Sequence, residues 1–370
     1  MNNFQILPRL RHLASRSGGN FTHHAICRLD SIVTKEQPWT GTAVPVSDQA
    51  RREPDFSAAG NAGLQNDKPV ISVILFVLNA ATTIEKALQS VTSGDQPPVE
   101  LLVLDGGSTD GTVDIIRLFE RHITFWRSHP DGNAANAVNE GVRRATGDII
   151  CLLPADDWIE PAALHGVRDA FAADPDLDVL SCGTRIVSIG EDGTLQVDAE
   201  FVTSSILEFR IENILRHPLT AGRFIRRRVY LEIGEYNAAF GSSNDLDFLV
   251  RVMNRKPRTK VLPRLVYSYL RHAGSQTISG NPKMVMAMMR NNIRIAEHHL
   301  ESGALAQEFR PALRALHGRA STRLGYMLAA RGHLRESARV LSRALNVNPL
   351  LPLKAIWWVM QKWVGHVPKS

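Results

Sequence analysis

Cysteine is scarce: the 370 residues hold three, Cys27, Cys151 and Cys182. Their number is odd and their spacing is not that of a metal cluster, which argues against a disulfide framework or a zinc module and for a reducing compartment. Aromatic residues make up 6% of the chain and none is interleaved with a basic stripe. The net charge of +6 is therefore too diffuse for a nucleic-acid surface, and suits an anionic ligand or an anionic membrane surface instead. Nowhere do about 20 uncharged apolar residues follow one another, the length a membrane span requires. The opening MNNFQILPRLRHLASRSGG lacks the continuous apolar core of a signal peptide, so export is not expected and the cytoplasm is the expected location.

What is present, 44% hydrophobic and 22% charged residues, can bury one substantial core with an appendage. Residues 1–67 are rich in Arg, Ser, Gly, Asn and Pro without periodicity, the composition of a segment that stays mostly disordered. Order is expected from VISVILFVLN, residues 70–79, a β-branched run followed by the helical pattern of TTIEKALQSV. The pair recurs as VELLVLD with TVDIIRLFERH, and again as ITFWRS with NAANAVNEGVRRA, before a fourth strand, DIICLLP. Near-continuously apolar strands alternating with helices predict an α/β fold, a mostly parallel central sheet with helices on both faces. Its C-terminal edge collects Asn79, Asp105, Asp131, Asp156 and Asp157.

The adjacent carboxylates Asp156 and Asp157 end the apolar run of GDIICLLPADDW. At a strand's C-terminal end, with nothing basic beside them, they suit Mg²⁺ or Mn²⁺ carrying a phosphate. The same pair ahead of Trp158 and Pro161 also suits a helix cap. Gly106, Gly107 and Gly111 read as turn scaffold. Dinucleotide redox chemistry would need Gly-x-Gly-x-x-Gly after the first strand, where this chain has NAATTIEKA.

Five segments in order, ISVILFVLN, LLVLDGGSTDGT, HPDGNAANAVNEGVRRATGDII, LLPADD and SSNDLDFLVRV, resemble the family 2 glycosyltransferases of the GT-A fold over residues 69–275. The resemblance implies a metal-dependent, inverting enzyme of bacterial surface-polysaccharide synthesis. Such an enzyme moves a sugar from a nucleotide-sugar donor to a hydroxyl of a glycan or lipid-linked acceptor. It implies donor contacts from Asn79, from Asp105 to the base, and from Asp131. Asp157 would hold the metal and Asp156 would help with ribose or metal. Arg271, with His272 as the other candidate, would close over the diphosphate, and His217 and Arg223 would contact donor or acceptor. A metal-bound diphosphate leaves without a proton, so the reaction asks for one general base. Asp245 matches it, with Arg251 at the expected spacing, while Asp247 competes and reads better as a helix N-terminal charge. Two departures stand out: Pro154 replaces the leading acidic residue of the metal signature, and Leu78 replaces an aromatic residue ahead of Asn79. A nucleotide-sugar-binding scaffold without turnover is the alternative reading.

From about residue 279 the chain turns helical, with Met284, Met286, Met288 and Met289 read as packing. Residues 318–351 resemble one tetratricopeptide-like hairpin, with Ser337 in place of the usual Ala. Such a unit must pack on the catalytic domain, a partner or a second copy. The final PLLPLKAIWWVMQKWVGHVPK suits a Trp-rich amphipathic helix, either at a membrane surface or packed on protein. The expected domains are residues 1–67, 68–278 and 279–370.

Overall fold

The computed structural model describes residues 68–216, 220–272 and 281–349, all within one unit, Asn61–Ser370. The expectations for residues 1–67, His217 and the Trp-rich segment fall outside the described residues.

Four strands, β1 (Ile71–Val77), β2 (Val99–Asp105), β3 (Phe125–Ser128) and β4 (Ile149–Pro154), pair in parallel in the order β3-β2-β1-β4. Helices α1 (Ile84–Thr92), α2 (Thr112–Leu118) and α3 (Ala134–Arg144) make the crossovers. Burial on both faces explains the continuous apolar strands: Ile71, Val73 and Leu75 enter one core cluster and Ile74 the other. Helix α3 lies so close to β1 that a Cβ on Gly141 would stand 2.4 Å from Ile74 Cγ2. Gly141→Ala is expected to destabilise the fold by about 1–2 kcal/mol net, because overpacking at this distance outweighs the roughly 1 kcal/mol of helix propensity that alanine adds. A melting curve checks it, and an unchanged midpoint would contradict this contact.

Beyond β4 the sheet becomes mixed. Short β5 (Trp158–Ile159), helix α4 (Ala163–Ala173), β6 (Val179–Ile189) and β7 (Leu195–Phe201) are followed by helices α5 (Ser204–Leu207) and α6 (Ile211–Arg216) and strand β8 (Arg223–Arg226). Helices α7 (Arg227–Ile233) and α8 (Asn244–Asn254) and the long β9 (Thr259–Arg271) complete the sheet layer. Strand β8 joins β4 and β6 antiparallel, β6 and β9 run parallel, and β5 and β7 attach antiparallel.

Three helices follow: α9 (Pro282–Glu301), α10 (Arg310–Ala329) and α11 (Leu334–Val347). Ile295, Ala296, Leu313 and Leu316 from them share one core cluster with Phe248, Leu249 and Ile150. The change near residue 280 is thus one of secondary structure and not of packing. Helices α10 and α11 follow one another across a short turn, and they pack on α9 through Met289, Leu324 and Leu328, with Met286 and Met288 alongside. Ser337 fits where alanine is usual because its hydroxyl donates to the Gly325 carbonyl at 2.8 Å. Among the described residues no helix is long and apolar enough to cross a membrane.

Candidate active site

The C-terminal ends of β1 and β2 are tied together by polar side chains. Asn79 takes a left-handed backbone, φ 51°, a conformation asparagine tolerates better than most residues. Its side-chain carbonyl accepts the Thr109 N–H at 2.9 Å while its own N–H donates to Ser108 Oγ at 2.7 Å. Gly107, at φ 88°, lets the chain turn back, and a Cβ there would stand 3.1 Å from the Pro130 ring.

Asp105, expected at the base, is turned inward in this structure. Its side chain has no exposed surface, and its carboxylate accepts from the N–H groups of Gly107 and Ser108 and from the hydroxyls of Ser108 and Ser128. Those four donors, all from its own chain, make it the organiser of the turn. The surface left open beside it consists of Leu78, 61% exposed, with Gly106 and Asp131. A Cβ on Gly106 would stand in ordinary contact with Asp131 Oδ1 at 3.4 Å and Leu78 Cδ1 at 3.5 Å, so the three residues form one patch.

Asp131 is held by Arg127, a buried cation on β3 whose guanidinium also reaches Glu140 and the carbonyls of Asp105 and His129. The Arg127–Asp131 pair spans 3.1 Å. Sequence reading passed over Arg127. A charged residue inside a four-residue strand, FWRS, was the available signal, since a cation is rarely buried without partners.

The two aspartates after β4 have opposite environments. Asp157 is 1% exposed, and its carboxylate accepts from Tyr267 Oη at 2.7 Å and from the Leu270 N–H at 3.0 Å. Burial, with the neighbouring Asp156 charge added, pushes its pKa well above the ordinary carboxylate value against those two hydrogen bonds. The family resemblance gave Asp157 to the metal, and in this structure its carboxylate is buried at the end of β4 and locks β9 to it through these two hydrogen bonds. Asp156 is the carboxylate that opens to solvent, its side chain 29% exposed, and His272 Nε2 lies 3.0 Å from it. Tyr267 was not among the sequence candidates, because its partner lies 110 residues away.

Arg271, expected at the diphosphate, forms an exposed ion pair with Asp198 of β7 at 3.0 Å. Such a pair is weak and gives way readily to a ligand.

Asp245 lies in the first turn of α8, half-buried, and its carboxylate accepts the Leu246 N–H at 2.7 Å. Burial pushes its pKa up to about 7, against the pull of the Leu246 N–H and the positive charge of Arg223. Arg223 opens β8, whose antiparallel register sets Arg226 opposite Ile149 and Ile225 opposite Ile150. Moving along β4 toward Asp156 therefore means moving back along β8 toward Arg223. Arg223, and Asp245 beside it, accordingly lie at the same sheet edge as Asp156.

The segment leading into α8 is positioned from two sides. Buried Asn139 on α3 clamps the backbone of Tyr236, donating to its carbonyl at 3.0 Å and accepting its N–H at 2.8 Å. The Tyr236 ring stacks on Phe248 with 4.5 Å between centroids. Asp247, the competitor for the base, is 2% exposed and engaged by Arg251 Nε at 3.0 Å and His299 Nε2 at 2.8 Å. It is a packing residue that joins α8 to α9.

Residues 72–234 match the family described as Glycosyl transferase family 2. The PGL/p-HBAD biosynthesis glycosyltransferase of Mycobacterium bovis (strain BCG / Pasteur 1173P2) is 28% identical over 218 residues, which are 57% of this chain and 80% of that protein. The poly-beta-1,6-N-acetyl-D-glucosamine synthase of Staphylococcus epidermidis is 31% identical over 118 residues, covering 31% of this chain and 29% of the synthase. The fold is similar to that of the mannosyltransferase PcManGT from Pyrobaculum calidifontis, solved in complex with GDP-Man and Mn2+. The TM-score is 0.51 at 18% identity, over 81% of this chain and 82% of that one. Asp245, Arg271 and His272 lie beyond the matched stretch, on elements that the fold returns to the sheet edge where Asp156 stands. The parallel β1–β4 layer, the carboxylates at its C-terminal edge and the family match together identify residues 72–234 as a glycosyl transferase family 2 domain, within a chain of GT-A-like fold that is similar to known glycosyltransferases.

Proposed function

We propose that this chain transfers a sugar from a nucleoside-diphosphate-sugar donor to a hydroxyl of a glycan or lipid-linked acceptor, with inversion at the anomeric carbon, in polysaccharide or glycolipid assembly. The observation that carries the reading is Asp245, a half-buried carboxylate that bonds no other side chain among the described residues, poised near neutrality at the sheet edge that also bears Asp156.

The acceptor hydroxyl attacks the anomeric carbon on the face opposite the leaving group. A new carbon–oxygen bond forms, the bond to the β-phosphate oxygen breaks, and the hydroxyl proton passes to Asp245. The barrier is crossed through an oxocarbenium-like state, as in glycoside hydrolysis. A base with a pKa near the working pH combines a useful ionised fraction with real basicity, which is the condition for general-base catalysis. On the donor side, the patch of Leu78, Gly106 and Asp131 receives part of the nucleoside, with Leu78 offering an exposed apolar face where an aromatic ring would stack more strongly.

Asp156 with His272 fits a divalent ion such as Mg²⁺ or Mn²⁺. One carboxylate and one imidazole leave coordination positions for the donor's phosphates, a common arrangement for ions that retain water and substrate ligands. A bound ion would neutralise the charge on the departing diphosphate.

The test is the thermal stability of the purified chain against UDP, GDP, dTDP and CMP, each with Mn²⁺ or with chelator. One nucleotide is expected to raise the melting point only with metal, by mass action, and Asp156→Ala to abolish that rise. Retention of the full shift in Asp156→Ala would overturn the assignment of Asp156. Absence of a shift with every nucleotide would overturn the donor class.

A further inference from the structure

The positive charge of this chain is gathered at one end. Residues 310–370 hold eight arginines and three lysines against a single acid, Glu336, and so carry +10, which leaves −4 on the rest of a chain whose total is +6. Along α11 that charge is ordered. Arg335, Arg339 and Arg343 stand four residues apart, one per turn, and all three are exposed. Glu336 is engaged by Arg290 of α9 at 2.9 Å, and the three arginines form no ion pair among the described residues. Beside them runs an apolar row. Leu334, Ala338, Leu341 and Leu345 share one exposed stripe of the helix, the leucines being 67%, 36% and 42% exposed, while Ser337 and Ala344 turn inward and are buried. Gly325 of α10 gives the row a packed support, since a Cβ there would stand 2.8 Å from Leu341. Tyr326, the next residue on α10, is itself exposed.

We propose that α11 is the face on which this protein docks to an anionic lipid bilayer, with the leucine row seated at the boundary of the acyl chains and the arginine row on lipid phosphates. Charge alone would suit any polyanion, but a soluble anion or a nucleic-acid backbone offers no apolar phase to the leucines, which stay in water at a cost. A protein partner would have to present carboxylates at the same spacing as the three arginines. An anionic leaflet presents phosphates at every spacing, and acyl chains directly beneath them. A helix with an apolar row flanked by basic residues is the composition of helices that lie in the plane of the headgroups, and long arginine side chains reach the phosphates while the leucines sit deeper. The sequence that follows α11 has the same character: Trp357, Trp358 and Trp363 with Lys354, Lys362 and Lys369, and no acid. The inference is independent of Asp245 and of the donor site. Docked in this way, the protein shares a surface with a lipid-linked acceptor, which favours that class over a soluble glycan.

The test is co-sedimentation of the full chain with vesicles of phosphatidylcholine, alone or mixed equally with phosphatidylglycerol, beside melting curves of every variant. The triple substitution Arg335→Gln, Arg339→Gln, Arg343→Gln removes the arginine row. A control, Arg121→Gln, Lys260→Gln, Arg264→Gln, removes the same charge from exposed positions elsewhere. Leu334→Gln with Leu345→Gln removes apolar contact and spares Leu341, which packs over Gly325. All three variants change exposed side chains and are expected to melt with the parent chain. The parent is expected to bind the anionic vesicles alone, less tightly as salt is raised. A basic residue at an anionic surface contributes roughly fivefold, so loss of the arginine row should weaken binding about 10²-fold. The leucine variant should bind about tenfold more weakly. The control should stay within about threefold of the parent, because charges more than a Debye length from the membrane are screened. Equal losses in the arginine variant and the control would reduce the effect to net charge and overturn the face. Undiminished binding of the arginine variant would move the lipid contact off α11 to residues 350–370. A leucine variant that binds like the parent would overturn the seating of the leucine row. Failure of the parent to bind anionic vesicles would overturn the lipid, and binding to polyglutamate in its place would assign the face to an acidic protein.

Discussion

Asp245→Asn is expected to lower kcat by about 10²–10⁴-fold, the range that general-base catalysis contributes. The amide keeps the size of the side chain and can still accept the Leu246 N–H, so donor binding and folding persist while the proton acceptor is lost. The pH dependence gives a second, independent signature. Activity requires the ionised carboxylate, so kcat/KM is expected to rise with pH through a limb near 7, where burial has moved this group from its ordinary value of 3.8. Arg223→Met removes the positive charge that favours ionisation and should move the limb to higher pH. Stability runs the other way. A carboxylate whose folded pKa is raised contributes stability that is fully present below its unfolded pKa and is lost as pH rises through the folded one. Asp245→Asn therefore keeps its stability between about pH 4 and 7 where the parent chain declines, a window bounded by the two pKa values. A variant that is equally active, or one whose activity falls together with its melting point, would remove Asp245 from the chemistry.

The second large effect concerns stability and lies two residues along the same helix. Asp247→Ala is expected to cost about 3–5 kcal/mol, the penalty for breaking a buried pair and leaving its partners uncompensated. For a chain of this size that corresponds to a fall in Tm on the order of 10 °C. Asp247 is fully packed between Arg251 and His299, and Arg251 in turn donates to the carbonyls of Ile233 and Glu235. Removing the carboxylate thus loosens α8 from both α9 and the segment that leads into Asp245. Burial alone would raise the Asp247 pKa, but the His299 hydrogen bond and the Arg251 charge outweigh it and hold the group below the ordinary carboxylate range. A depressed carboxylate stabilises above its unfolded pKa, about 3.9, and that contribution is lost as pH falls through the folded value. The difference in stability between the parent chain and Asp247→Ala should therefore shrink in acid. A difference below about 1 kcal/mol at neutral pH would put Asp247 among ordinary surface charges.

The contrast between these two aspartates shows where sequence reading reaches its limit. Both stand in the first turn of α8, and the motif SSNDLDFLVRV places both near a helix N-terminus. One faces Arg223 from β8 and the other His299 from α9, and neither partner is near in sequence. Asp156 and Asp157 make the same point. The apolar run before them fixes a buried strand, and adjacency sends the two side chains in different directions, but β9 decides which one is sealed. The Tyr267 hydroxyl and the Leu270 N–H reach Asp157, and only then is Asp156 the carboxylate that meets solvent. Asp105 followed the local rule that an aspartate before Gly-Gly-Ser caps its own turn.

The sequence by itself determined the β1–β4 layer. Its strands are short apolar runs bounded by turn residues, and its helices carry a 3.6-residue period, so each element is fixed by contacts with the sheet it must cover and by its own neighbours in the chain. It likewise determined which carboxylates would gather at the C-terminal edge, because parallel strands joined by right-handed crossovers all end on one side. Tertiary structure alone decided the ionisation and exposure of those carboxylates, the direction of the later strands and the sharing of one core with the C-terminal helices. Each depends on pairings across many tens of residues, as between Asp157 and Tyr267 or Asp247 and His299, and desolvation is set by whatever the fold brings to the spot, which no local spacing records.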